Sequence, residues 1–235
     1  MTAPAPAGAA TDWALAGERF FAARLAAVDD SALRAPSGLP GWTRAHVAGH
    51  VARNADALVN LAEWARTGVE RPMYPDPDAR RRGIEEAAAQ PAARLRADVA
   101  ESASRLARVW AALPADSWQT PVRSALGRAI PLVETVWMRV REVWVHGIDL
   151  RGDGRFDELP PGLVDALVTE TVDILTGRGA PAVELVPTDR PAAWRLGGGV
   201  PTSSVTAPAH RLLGWLVGRS TPPGLGPTPA LPGWL

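Results

Sequence analysis

The chain has 235 residues, of which 46% are hydrophobic and 21% are charged, a composition typical of a globular protein with one large domain or two modest ones. Its 25 basic residues balance its 25 acidic ones, so the overall charge gives no reason to expect a nucleic-acid or membrane partner. The absence of cysteine excludes disulfides, thiolate metal sites and a thiol nucleophile supplied by the protein.

The first predicted helix covers residues 12–28, with Asp12 as its cap. Its apolar stripe has helical spacing and consists of Leu15, Phe20, Phe21, Leu25 and Val28. No signal-peptide pattern precedes this helix, and no run of 18 apolar residues occurs anywhere in the chain. We therefore expect a cytoplasmic protein.

A second helix is predicted over residues 44–67, because Thr43 is a favourable N-cap and Gly68 a typical C-terminal stop. Further on, Pro91 is expected to divide a long helical region into helices near 78–89 and 92–113. The first of these carries the basic run Arg80, Arg81 and Arg82, which is typical of a solvated helical face.

Residues 114–130 are rich in turn-forming residues and predict a short hairpin or a loop. Pro131 suits the first turn of a helix that runs to about Leu150. We therefore expect residues 1–151 to form a helical bundle.

The second domain is predicted over residues 152–235, with residues 152–161 as a linker. It is expected to be a small α+β unit with a helix at 162–176 and another at 208–218. Its predicted strands are Val183–Pro187, Ala193–Leu196 and Ser203–Thr206.

Polar residues share one face of the helix that ends near residue 150. Glu142 and His146 are four residues apart, so they project from the same side as Thr135, Arg139 and Asp149. A solvated polar face is one interpretation of this pattern, and metal binding is the other.

The helix at 44–67 carries two histidines, His46 and His50, at the same spacing of four. The H-E-x-x-H zinc motif is absent, because Val47 stands where that motif needs a glutamate. We expect His46 to be a capping or packing residue, as is usual near a helix start. Two histidines and one carboxylate would suit zinc and leave one position open for catalysis.

Two long motifs are the most distinctive features of the sequence. Residues 39–56 read LPGWTRAHVAGHVARNAD, and residues 137–150 read WMRVREVWVHGIDL. Both resemble the signatures of the mycothiol-dependent maleylpyruvate isomerases, as do Met73–Tyr74 and the WLVGR sequence at 215–219. The resemblance covers nearly the whole chain, from about residue 12 to about residue 220.

The resemblance implies a mainly α fold, a DinB-like four-helix bundle followed by a small α+β domain. It also implies that His50, Glu142 and His146 bind zinc or another divalent metal, and that Arg219 takes part in catalysis. The expected partners are mycothiol as thiol cosubstrate and a small dicarboxylate substrate, with no nucleic acid, no membrane and a monomeric state. No residue is assigned to mycothiol binding.

The implied reaction is the cis–trans isomerisation of maleylpyruvate to fumarylpyruvate, a step of gentisate-type aromatic degradation. A thiolate adds to the activated carbon, the bond rotates, and the thiolate leaves. Without cysteine in the chain, that thiol must come from a small molecule. Arg219 is expected to grip a substrate carboxylate, which would put the active site between the two domains.

Alternative interpretations remain at this stage. A mycothiol S-transferase could use the same metal and thiol on another electrophile, and a non-catalytic metal-binding module is a third reading. Arg219 has a plain structural interpretation, as a helix C-terminal arginine interacting with the helix dipole. Asn54 and Asp149 could orient ligand side chains or could simply make cap or surface hydrogen bonds.

Overall fold

The computed structural model describes residues 7–151, 155–221 and 229–234. They divide into two compact units, one within residues 7–151 and the other formed by the described residues that follow. Of the predicted linker, residues 152–154 lie outside the described ranges. In the described part of the chain, no helix has the length and apolar character that crossing a membrane requires.

The first unit is a helical bundle, as the sequence predicts. Helices α1, α2, α4 and α5 pack against one another, and the short helix α3 packs on α2. The bounds are α1 Ala7–Ala26, α2 Arg44–Thr67, α3 Ala79–Ala89, α4 Ala92–Ala111 and α5 Glu134–Arg151. The predicted break between α3 and α4 at Pro91 is confirmed.

Helix α2 has the predicted bounds, and both ends show why. The Thr43 side chain accepts a hydrogen bond from the His46 backbone amide, which satisfies one of the free amides of the first turn. Gly68 takes the left-handed conformation with φ 73°, where its amide bonds the Trp64 carbonyl. Local signals therefore define this helix at each end.

Two predictions for helix α1 are wrong. It begins at Ala7, so Asp12 lies inside the helix and does not cap it. Leu15 is 48% exposed and does not belong to the core. The buried stripe instead includes Ala14 and Gly17, where an added Cβ on the glycine would meet the Val143 side chain at 2.3 Å. Small residues let α1 approach α5 closely, and this turns Leu15 outwards.

The predicted hairpin is present. Strands β1 (Pro121–Arg123) and β2 (Ala129–Pro131) pair antiparallel, and Val122 and Ile130 opposite each other are buried in the bundle core. Pro131 therefore ends a strand and does not start a helix, which begins at Glu134. Proline has no amide to donate to a sheet, so it is tolerated at the end of this two-stranded ribbon.

The second unit has the predicted α+β composition. Its helices are α6 (Pro161–Gly177) and α7 (Ala209–Leu216). Its strands are β3 Val183–Pro187, β4 Trp194–Leu196 and β5 Ser203–Ala207. They form one sheet in the order β4-β3-β5, in which β4 is antiparallel and β5 parallel to β3.

Candidate metal centre

Helix α5 packs against α1 and α2, and none of its residues from 135 to 150 is exposed. The polar face read from the sequence is therefore not solvated: Thr135, Arg139 and Asp149 each have an exposed fraction of 0%. Glu142 and His146 retain a small exposed fraction of their side chains, 21% and 15%. A buried polar face requires partners for its polar atoms, and these partners define the site.

Three side chains converge at this face. One potential ligand atom from each of His50, Glu142 and His146 lies within 4.8 Å of the other two. Glu142 Oε2 is 2.8 Å from His50 Nε2 and 3.2 Å from His146 Nε2. Helix α2 supplies one of the three residues and α5 the other two, so the contact between these helices builds the site.

The Glu142 carboxylate oxygen and the two imidazole nitrogens form a set of atoms that can bind a cation. Glu142 Oε2 is buried and, despite its short distances to the two imidazoles, has no hydrogen bond of acceptable geometry in the described part of the protein. Two imidazole nitrogens and one carboxylate oxygen are ligands that zinc and similar divalent ions accept. The three residues can therefore hold a divalent cation and leave a position open.

The protonation states of the three side chains differ. Burial lowers the pKa of His50, although the Glu142 carboxylate acts in the opposite direction. Burial also disfavours the charged forms of Glu142 and His146, but the charged and hydrogen-bonding groups around them have the larger effect on their pKa values. The imidazoles hold the pKa of Glu142 well below its usual range, and Asp149 and Glu142 raise the pKa of His146 to about 9. Near neutral pH, Glu142 is ionised and His146 carries a proton.

Asp149 orients the second histidine. Its Oδ2 lies 2.8 Å from His146 Nδ1, so the imidazole can donate to the carboxylate and direct Nε2 towards Glu142. Asp149 is fully buried, which rules out the surface role that the sequence left open. A carboxylate behind a ligating histidine fixes its tautomer and makes it a stronger ligand.

The Asn54 side chain binds a buried arginine, a role that the sequence did not predict. Its Oδ1 accepts a hydrogen bond of 2.9 Å from Arg139, which also donates to the Val51 carbonyl at 2.8 Å. The same guanidinium forms two hydrogen bonds with the Glu18 carboxylate, at 2.7 and 3.2 Å. Arg139 thus links α1, α2 and α5 one turn before Glu142.

His46 is the capping residue that the sequence predicts. Its Nδ1 is 2.6 Å from Thr43 Oγ1 and accepts from the Thr43 amide at 3.3 Å, which completes a capping box. Its Nε2 is 3.2 Å from Glu85 Oε2 on α3. Thr43 and Glu85 thus engage both ring nitrogens of His46.

Arg219 lies in the second unit, just after α7. Its amide bonds the Gly214 carbonyl at 2.8 Å, and its guanidinium donates to the Val217 carbonyl at 2.8 Å. These contacts match the structural interpretation of a helix C-terminal arginine. A catalytic role for Arg219 stays a prediction.

One residue of the site was not foreseen. The Trp42 ring packs edge-on against His50, with ring centroids 5.5 Å apart. Trp42 and His50 lie on either side of His46 at steps of four residues, a periodicity that crosses the N-cap and could have revealed the contact.

Comparisons with known proteins concern the family and the fold of the chain. A family model described as the mycothiol maleylpyruvate isomerase N-terminal domain matches residues 14–151. A crystal structure of a mycothiol-dependent maleylpyruvate isomerase superimposes with a TM-score of 0.89 at 32% identity, and the match covers 98% of each chain. The structure of a histidine-to-alanine variant of such an enzyme gives the same values. No protein of curated function matches the chain in sequence.

Proposed function

The chain belongs to the mycothiol maleylpyruvate isomerase family, and from that premise we propose that it is a metal- and mycothiol-dependent cis–trans isomerase that converts maleylpyruvate to fumarylpyruvate. The observation that carries the proposal is the convergence of His50, Glu142 and His146 within the region that the family model matches. Three ligands with an open position are typical of catalytic centres.

The total charge of the three proposed ligands is also compatible with a divalent ion. Glu142 contributes one negative charge, and the two imidazoles, neutral once His146 has released its proton, contribute none, so a divalent ion would keep a net positive charge. Such an ion, when bound, supplies a Lewis acid that favours the thiolate over the thiol or polarises a substrate oxygen. Asp149 holds His146 in the orientation that this ligand set needs.

The lack of cysteine supports an external thiol. Isomerisation of a conjugated alkene requires its double bond to become single for a moment, which reversible addition of a thiol achieves. Since the chain has no thiol of its own, the protein's part is to bind and orient the reactants and to stabilise charge. A mycothiol S-transferase would use the same parts, but it would release a stable thiol adduct.

Arg219 is our choice for binding a substrate carboxylate. Its planar, permanently charged guanidinium can accept a carboxylate through two parallel hydrogen bonds. The WLVGR sequence that ends in Arg219 supports this assignment through its resemblance to the family. Arg219→Ala should lower turnover and leave the metal content normal, and wild-type turnover in this variant would remove Arg219 from the active site.

The decisive experiment is incubation of the zinc-loaded protein with maleylpyruvate, with and without mycothiol. We expect fumarylpyruvate, identified by absorbance and chromatography, only when the thiol is present. A thiol adduct as end product would replace isomerase with S-transferase. Turnover in thiol-free buffer would refute thiol dependence.

Metal analysis of single alanine variants tests the centre independently of the reaction. His50→Ala, Glu142→Ala and His146→Ala should each lose most of the metal. His46→Ala is the matched control on the same helix, and it should keep its metal because both ring nitrogens face other partners. Full occupancy in Glu142→Ala would refute the ligand assignment.

A further inference from the structure

The first turn of α3 contains three consecutive arginines that are not equivalent. Arg81 is 3.4 Å from Asp78 and Arg82 is 2.7 Å from Asp76, so both have acidic partners. Arg80 has no carboxylate within ion-pair distance in the described part of the protein, and its side chain shares a hydrogen bond with Tyr74. A cation at a helix N-terminus opposes the helix dipole, so an uncompensated arginine at this position is energetically unfavourable.

Arg80 lies beside the candidate metal centre. Its guanidinium carbon is 6.0 Å from the centroid of the Trp42 ring, whose edge contact with His50 has a centroid distance of 5.5 Å. Trp42 thus connects the guanidinium to a metal ligand through two ring contacts. A guanidinium over an indole face is held in place, and the N–H groups of Arg80 that do not bond Tyr74 can bind an anion.

The position of Arg80 is set by the packing of α3 on α2. A Cβ added at Gly49, the residue before His50, would lie 2.8 Å from the Ala87 Cβ, so only glycine permits this close approach. The pair between His46 and Glu85 joins the same helices nearer to Arg80. Both contacts restrict movement of α3 relative to the metal ligands.

Arg80 also interacts with Tyr74, a second side chain influenced by Glu142. Burial raises the pKa of Tyr74, while Arg80 opposes the increase through its charge and a side-chain hydrogen bond. The Glu142 carboxylate also acts on Tyr74. Arg80, Tyr74 and Glu142 therefore share one electrostatic environment.

We propose that Arg80 is a substrate-binding residue, whose guanidinium binds a carboxylate of the dicarboxylate substrate beside the metal centre. The inference rests on the proposed function for the identity of that substrate. A carboxylate would supply the acidic partner that Arg81 and Arg82 already have and Arg80 lacks. Trp42 would form the apolar wall along which the substrate's carbon chain approaches the metal.

The test compares Arg80→Gln with Arg81→Gln, a neighbouring variant that removes the same charge from the same turn. Arg80→Gln should raise the KM for maleylpyruvate about 10- to 100-fold, the effect of losing one charge-assisted hydrogen-bonded pair. The KM for mycothiol and the metal content should stay at wild-type values. Arg80→Lys should recover only part of the loss, because an ammonium cannot form the two-pronged contact. Arg81→Gln should behave as the wild type.

A binding measurement separates this inference from the proposed function. Maleate, titrated calorimetrically into the zinc-loaded protein, should bind the wild type and Arg81→Gln equally and Arg80→Gln at least about 10-fold more weakly. If maleylpyruvate is not turned over but maleate shows this pattern, the proposed function fails and the subsite stands. Equal maleate affinity in all three proteins, no maleate binding to the wild type, or a raised KM for mycothiol alone would overturn the inference.

Discussion

Replacing Arg139 by methionine should destabilise the bundle strongly without removing any of the three proposed metal ligands. The Arg139 side chain is fully buried and makes four hydrogen bonds, to Glu18, Asn54 and the Val51 carbonyl. Methionine fills a similar space but leaves these acceptors without their donor. Asn54 is 3% exposed, so water cannot replace the lost bond there.

The size of the effect follows from the burial of the network. Removing one partner of a buried ion pair costs about 3–5 kcal/mol. The Glu18 side chain is 24% exposed and regains some hydration, so we expect the lower part of that range. A loss of about 3 kcal/mol would lower the melting temperature by roughly 6–12 °C for a unit of this size.

Thermal unfolding followed by circular dichroism in the presence of a chelator measures this change without a contribution from bound metal. Arg66→Met is the control, since Arg66 pairs with Glu63 on the surface and its loss should leave the melting temperature unchanged. Adding Glu18→Leu to Arg139→Met should recover part of the loss, because an apolar pair needs no partner. A melting temperature of Arg139→Met equal to that of the wild type would refute the reasoning.

Three further predictions concern the same unit. Asp149→Asn should weaken zinc binding about 10- to 100-fold in a chelator competition titration, and unchanged affinity would show that Asp149 does not orient His146. Because the pKa of His146 is raised to about 9, zinc binding at pH 7.5 should release about one proton, and zinc affinity should rise with pH up to about pH 9. Calorimetry in two buffers of different ionisation enthalpy measures the proton, and equal heats would contradict the assignment. Thr43→Ala should cost about 1 kcal/mol in urea unfolding through loss of the N-cap, with normal zinc content.

The features that local sequence signals encode were predicted correctly. Helix α2 has its predicted bounds because Thr43 and Gly68 act within one turn of the ends that they define. His46 was expected to cap because of its place in the first turn. The three proposed metal ligands, by contrast, rest on resemblance to a family, since periodicity places Glu142 and His146 on one face but does not bring His50 to it.

The errors involve contacts between distant segments. Apolar spacing predicts Leu15 in the core because large apolar residues usually define a stripe, whereas Gly17 permits α1 to pack against α5 through its small face. Periodicity alone places Arg139 on a face that could be solvated, because its partner Glu18 lies 121 residues away in sequence. Pro131 suits a helix start and a strand end equally, and only the pairing with Pro121 decides between them.

The enclosure of α5 has a consequence for the evolution of this protein. Any replacement between residues 135 and 150 changes packing beside Glu142 and His146, so few substitutions there should preserve both folding and the proposed metal centre. The first turn of α3 is more tolerant, since it borders the same centre from exposed positions. New substrate preferences, in nature or in a laboratory library, should therefore arise through changes at Arg80 and its surroundings while α5 remains constant.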